Sequence, residues 1–577
     1  MLTPRHRKSH RFVTIGLLTA SILLLFITAC GSSSTSQDDD GAAPVAAATA
    51  TPVAQASASD APATESSKYG GVLNMQKHGP PGKLDPHPSV AGLDASEFAH
   101  VYDNVVQYNP FAPTDAIVPD LAKSWDISDD GLVFTFHLEE QVTWTDGEPF
   151  TTDDVLFSLE RMVEPGKPRP RAGLIRQYYE GAEIVDDHTI NVTLKFPAAA
   201  FLNVLAMEYV KILPKHVVEA GVDIDLGENM VGTGPYTFAK YVKGNRLEFE
   251  KNDNYWKEGL PYLDGINKII ISDIRRILAA FKAEQVMLST IGWTNLTIRD
   301  YLKLGEDAKD ILSVPRMCCD QAGFGLMMNV NKPPTDNAKV RRAIFLAVDR
   351  NAINQANIAG EGSVDSPVQT WAGLGLSMEE LLQQPGFRVN PDGTKHPDDL
   401  QMARDLLAEE GYADGLDVTL RFSLTEGQNP DSAALIKDQL KDVGINVTLE
   451  GLEYQTALEA WKAEDFQMGI QGNGYVVPDP DVLLNAFCMP QGTRNYSHWA
   501  HPEFQELYDK QSRATDPAKR LEIISEIESI ILFEDTPAAM LYYQPFYWPV
   551  NHKVKNFAVP LTVASTYMQF DSLWLDQ

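Results

Sequence analysis

Residues 416–475 read LDVTLRFSLTEGQNPDSAALIKDQLKDVGINVTLEGLEYQTALEAWKAEDFQMGIQGNGY. Val418, Leu420 and Phe422 alternate with polar neighbours and mark a strand. Asp431–Val443 has helical spacing and stops at Gly444; Ile445–Leu449 marks a second strand, Tyr454–Ala463 a helix, and Phe466–Ile470 a third strand. A helix over Gln401–Glu410, closed by Gly411, precedes them. This β-α-β-α-β order implies parallel strands joined by right-handed crossovers, hence an α/β fold. Ligands on such sheets sit beyond the carboxyl ends of the strands. The end here is Gln471-Gly472-Asn473-Gly474-Tyr475, where small residues let a ligand approach the backbone and Tyr475 can stack on it. Asn473, Gly474 and Tyr475 are therefore candidate contacts, although the same residues also suit an ordinary glycine turn.

Toward the amino terminus the pattern changes. Gly71–Met75 opens a strand, and Leu132, Phe134, Phe136 and Leu138 alternate after the turn Asp129-Asp130-Gly131. Thr151–Asp154 offers a capping box for a helix with the stripe Val155, Leu156, Leu159 and Met162. Residues 184–272 favour strands, with Ile190, Val192 and Leu194 alternating and a tight turn at Gly232–Tyr236. A helix over Ala338–Ala359 carries Val340, Ile344, Phe345 and Val348 on one side.

The first eleven residues hold Arg5, Arg7, Lys8 and Arg11 and no acid, and an apolar run extends from Phe12 to Ala29. This reads as a secretory signal. Ile27-Thr28-Ala29-Cys30 resembles a bacterial lipobox, which implies cleavage before Cys30, lipidation of its thiol and attachment to the outer face of the membrane. Residues 30–68 are rich in Ser, Thr, Ala, Pro and Asp and read as a disordered tether. The remaining length is too great for one hydrophobic core. The chain carries a formal −31, and loss of the four signal cations takes it to −35; nucleic acid and anionic lipid are poor partners for such a surface. Cys318, Cys319 and Cys488 form no C-x-x-C, which disfavours structural zinc, and leave both one disulfide and free thiols open.

Several segments together resemble bacterial extracellular solute-binding protein family five, the peptide- and nickel-type binders of ABC importers. Leu84-Asp85-Pro86-His87 resembles its opening. Pro119–Trp125, Gly131–Leu138 and above all Trp144–Val155 carry the resemblance further. Val231–Tyr236, Asn329-Val330-Asn331 with Val340–Ile344, and Pro478–Asp481 follow in the family's order. The resemblance implies a periplasmic-binding-protein-like bilobal fold of type II, of the large class with an extra subdomain. Lobe one is expected over 69–273 and 546–577, with the subdomain at about 110–185, and lobe two over 274–545. It also implies an extracytoplasmic monomer that closes around a small solute and hands it to an ABC permease and ATPase.

Peptide binders of the family carry an Asp for the peptide's ammonium where this chain has Val476, and Asn473 replaces their usual Trp. An uncompensated buried charge costs about 3–5 kcal/mol, so a free amino terminus is disfavoured there. Asp479 and Asp481 are read as caps of the next helix rather than substitutes. Further cleft candidates are Trp371 in the Pro367–Gly375 loop, Tyr543 at the second crossover, and Arg494 with Asn495, which suit a carboxylate or hydroxyl; each also fits ordinary core or surface. The aromatic residues would equally suit an oligosaccharide. No H-E-x-x-H, P-loop or G-x-S-x-G motif is present and no cofactor is implied, so an enzyme is disfavoured. His78, His87 and His100 are too dispersed to argue a metal site, a metal chelate remains open through the family alone, and a sensing lipoprotein uncoupled from transport would share the fold.

Overall fold

The computed structural model describes residues 68–89, 92–111, 117–290, 296–317, 322–368, 374–425, 428–474, 477, 479–559 and 570–576. The signal segment, Cys30 and the tether up to residue 67 lie outside them, as do Cys318 and Cys319. Among the described residues no helix is long and apolar enough to cross a membrane.

Lobe one is built on a seven-stranded sheet. Its central strand Val72–Lys77 runs parallel to Gly265–Ile270 on one side and to Leu288–Ser289 on the other. The first flank continues antiparallel through Arg246–Lys251 to Tyr236–Val242, and the second through Val550–Asn551 to Leu312–Ser313. Leu288–Ser289 and Leu312–Ser313 correct the expected boundary near residue 273, because both were assigned to lobe two. They are only two residues long and show no alternation, so tertiary pairing alone defines them. The chain passes between the main sheets after Ser313 and before Ala322, and returns between Gln544 and Val550.

A separate antiparallel sheet orders Ala122–Ile127, Val133–Leu138, Thr189–Leu194 and Tyr179–Asp186. It extends to Leu194, past the expected end of the subdomain. Phe134, Phe136, Leu138, Ile190, Val192 and Leu194 point into its core. The helix Thr152–Val163 covers it and begins with the anticipated capping box: Thr151 caps, and Asp154 bonds back to the Thr151 N–H at 3.1 Å. The Gly232–Tyr236 segment is more than a turn. A Cβ on Gly232 would lie 1.8 Å from the Val101 carbonyl oxygen, so only glycine permits this approach.

Lobe two has a five-stranded sheet in the order Ile445–Leu452, Leu416–Ser423, Met468–Gly474, Ala322–Met328, Ala538–Gln544. The first three strands are mutually parallel, as the β-α-β-α-β pattern implies, and the last two pairings are antiparallel. One face is buried under Val340, Ile344 and Phe345. These belong to a helix that ends at Ala347, not at residue 359. Val348 is extended, and the Asp349 side chain accepts from the Ala352 N–H at 3.0 Å, starting a second helix at Arg350. Apolar periodicity persisted through this break because both helices pack on the same core.

The interior of lobe one contains ions. Glu97 binds Lys77 at 2.6 Å and Lys268 at 3.4 Å, all three side chains being wholly buried. Burial drives the Lys268 ammonium down to about 7, with Lys77 adding repulsion and Glu97 opposing both. Neutralising Glu97 leaves two cations in a low-dielectric interior. Glu97→Gln is expected to cost about 3–5 kcal/mol in urea unfolding; a loss within experimental error would show the lysines to be compensated elsewhere. Lys268 releases its proton near 7 in the folded chain but near 10.5 when unfolded. Its contribution makes stability rise with pH across that window, because the unfolded chain binds more protons there. Lys268→Met should therefore flatten the pH dependence of unfolding between about 7 and 10.5, which chemical denaturation at a series of pH values would read.

Candidate functional site

The carboxyl end of the Met468–Gly474 strand and the helices that follow it form the site. A small cavity opens against Gly325 and Met327 on one strand, Gln471 on the next, and Met540 and Tyr543 on the edge strand. Leu483, Phe487 and Cys488 from the helix Pro480–Cys488 close it from above, with Arg494 at its side. The lining is mainly apolar, and among the described residues Arg494 is its one formally charged member. Gly323 leaves room for the Tyr543 ring, which would lie 2.5 Å from a Cβ there.

Of the sequence-selected residues, Arg494 and Tyr543 meet at this cavity. Tyr543 is fully buried and donates its hydroxyl to the Ser366 carbonyl at 3.2 Å, so it shapes the wall more than it offers a polar handle. Arg494 is exposed, donates to the Gly472 carbonyl at 3.3 Å and lies 5.7 Å from the Phe487 ring centroid. Asn495 must be reassigned. Its amide nitrogen donates to the carbonyls of Met489 at 3.0 Å and Trp499 at 2.7 Å, and its oxygen accepts from Ser497 and from the Trp499 N–H. With both donors and both lone pairs used internally, it braces the loop and has no capacity left for a ligand. The backbones of Asn473 and Gly474 pair with Gly323 and Ala322. Trp371, Tyr475 and Val476 lie outside the described residues. The Cys488 thiol is buried and unbridged, and burial pushes it up to about 12.

The acids of Pro478–Asp481 divide their work. Asp479 caps the helix, accepting from the Asp481 N–H at 2.9 Å, and takes both arms of Arg520 at 2.6 and 2.8 Å. Asp481 is no cap. Its buried carboxylate accepts from Tyr178 at 2.5 Å and Gln177 at 3.2 Å, both from the subdomain, and from Gln511 at 2.5 Å in lobe two. Burial, then the neighbouring Asp479, raises its pKa. Arg520 also donates to Gln511, joining the two acids into one network. Nearby, the Arg513 guanidinium stacks 4.5 Å from the Phe196 ring, and the Ala199 N–H reaches the Ser512 carbonyl at 3.4 Å. Val477 and Val482 pack into the core of lobe one. The subdomain is thereby clasped to lobe two beside the cavity.

Sequence reading missed Tyr178, Gln177, Gln511 and Arg520, whose relation to Asp481 exists only in three dimensions. It also missed Arg171, which stands half-buried just before the 3₁₀ helix Ala172–Gln177, where burial draws its guanidinium below the usual value. The run Lys167-Pro168-Arg169-Pro170-Arg171, basic within an acidic chain, was a visible signal. Among the described residues no group of three or more His, Cys, Asp or Glu is placed to hold a metal ion.

The model of bacterial extracellular solute-binding proteins, family 5 middle, matches residues 116–495. The dipeptide-binding protein of Escherichia coli is 28% identical over 516 residues, 83% of this chain and 91% of that protein. The probable deoxycholate-binding periplasmic protein YgiS of the same organism is 25% identical over 539 residues, 90% of this chain and 96% of that protein. Among solved structures, the ABC transporter-associated periplasmic binding protein DppA from Helicobacter pylori, in complex with the peptide STSA, superposes with a TM-score of 0.69 at 26% identity, covering 89% of this chain and 99% of its own. The cavity, the clasp beside it and the two sheet-centred lobes thus belong to a bilobal solute-binding protein, and the chain is a member of the bacterial extracellular solute-binding proteins of family 5.

Proposed function

We propose that this chain captures a peptide-like small solute between its lobes outside the cytoplasmic membrane and delivers it to an ABC permease and ATPase. Lipid on Cys30 holds it at the membrane, residues 30–68 act as the tether, and it works as a monomer without catalysing a reaction. The family membership supports the role. The observation that carries it is the clasp: a buried carboxylate of lobe two, Asp481, satisfied by Tyr178 and Gln177 of the subdomain, immediately beside an apolar cavity.

Closure would work as follows. In an open form the carboxylate of Asp481 exchanges Tyr178 and Gln177 for water, so the hydrogen bonds by themselves favour neither form strongly. A solute that touches both lobes supplies the differential contact that selects the closed form. The chain passes between the lobes' sheets after Ser313 and again between Gln544 and Val550, and such short crossings are where a rotation would be absorbed. The closed outline is what a permease would recognise.

Solution scattering is expected to show a smaller radius of gyration after addition of the solute that native mass spectrometry finds co-purified. An unchanged radius on occupancy would sink the closure mechanism. Tyr178→Phe should weaken that solute about tenfold through faster release, since it leaves the buried Asp481 carboxylate one donor short in the closed form only, at a cost of about 1–3 kcal/mol. An unaltered dissociation rate would remove Tyr178 from the mechanism. Cys30→Ala should move the protein from the membrane fraction to the soluble extracytoplasmic fraction; continued membrane association would refute lipid anchoring.

A further inference from the structure

Pro367 and Tyr543 form one wall of the cavity, and a single carboxylate braces it. Glu528, near the end of the helix Pro517–Ser529, is buried. It accepts from the Ser366 hydroxyl and, at 2.6 Å, from the Leu376 N–H. Ser366 passes the constraint on. Its hydroxyl oxygen accepts from the Val368 N–H at 3.2 Å, which fixes the chain around Pro367, and its carbonyl accepts from the Tyr543 hydroxyl at 3.2 Å. Gly375 fits the same carboxylate: its φ is +108°, and a Cβ there would overlap Oε2 of Glu528. Ile531, three residues after Glu528, lines the cavity directly.

An acid is a costly choice for this brace. Asp479 and Asp399 are buried too, but each holds an arginine, whereas both donors to Glu528 are neutral. The charges facing it are acidic: Asp365, beside Ser366, and Glu380, on the helix Met378–Leu382. Tyr543 faces it from the edge strand, with Cys488 of the helix Pro480–Cys488 beside that ring. Burial pushes the Glu528 carboxyl up to about 7; its two hydrogen bonds oppose this, and Asp365 and Glu380 add to it. A glutamine would make the same two contacts without a charge, its amide donating to Ser366 and its carbonyl accepting from Leu376. The neutral carboxyl therefore braces the wall at no cost in buried charge. The ionised one favours local opening, because water reaching it relieves the desolvation.

We infer that Glu528 is a positioning residue for the captured solute: through Ser366 it fixes the Pro367–Tyr543 wall, and its proton decides how firmly that wall is held. This deepens the proposed capture function and rests on it. With the wall in place the carboxyl keeps its proton up to about 7, against 4.5 for an ordinary exposed glutamate; opening therefore becomes easier as pH rises between those values. A solute filling the cavity displaces water beside the wall and makes ionisation costlier still. Binding then takes up a proton, so affinity is full below about 7 and falls as pH rises above it.

Glu528→Gln and Glu528→Ala in the full mature protein test this, by titration calorimetry with N-acetyl-trialanine and N-acetyl-trileucine and by deuterium exchange without solute. Each variant is compared with the parent at the same pH, so that the intrinsic pH dependence of exchange cancels. At pH 5 Glu528→Gln should bind peptide as the parent does. At pH 8 it should bind about threefold or more tightly than the parent, and its Val368 and Leu376 amides should exchange about tenfold more slowly. Glu528→Ala, which lacks both contacts, should bind about tenfold more weakly than Glu528→Gln at either pH and exchange those amides faster. A merely structural glutamate would leave the ratio of Glu528→Gln to parent the same at both pH values. That result, or parent-like binding and exchange in Glu528→Ala, would overturn the assignment and leave solute capture standing. Should neither peptide bind, peptide capture is itself in question, and the exchange rates alone decide the role of Glu528.

Discussion

The arrangement depends on how a buried carboxylate is satisfied. Asp481 lies where water cannot reach it, so every hydrogen bond it accepts must come from the protein. Gln511 supplies one from its own lobe, while Tyr178 and Gln177 supply the others from residues about three hundred positions away. Such a group cannot stay half satisfied: either the subdomain is present or solvent is. The polar network therefore ties the subdomain to lobe two in one well-defined arrangement. Because water and protein donors are nearly equivalent in net free energy, the network defines this geometry without adding much to its stability.

The same logic separates what was legible in the sequence from what was not. The parallel core of lobe two was readable because Leu416–Ser423 and the first half of Ile445–Leu452 bury alternate residues, with helices of clear period following them. The Thr151 cap was readable because a capping box is a local pattern. Misreadings arose where local pattern and tertiary demand part. Leu288–Ser289 and Leu312–Ser313 are strands only because neighbours pair with them. The break at Val348 was hidden by continuous apolar spacing, although Asp349 was a cap in waiting. Asp481 resembled Asp479 in the Pro478–Asp481 stretch, yet one became the cap and the other the clasp. Asn495 looked available because sequence cannot show that four internal partners already use its amide.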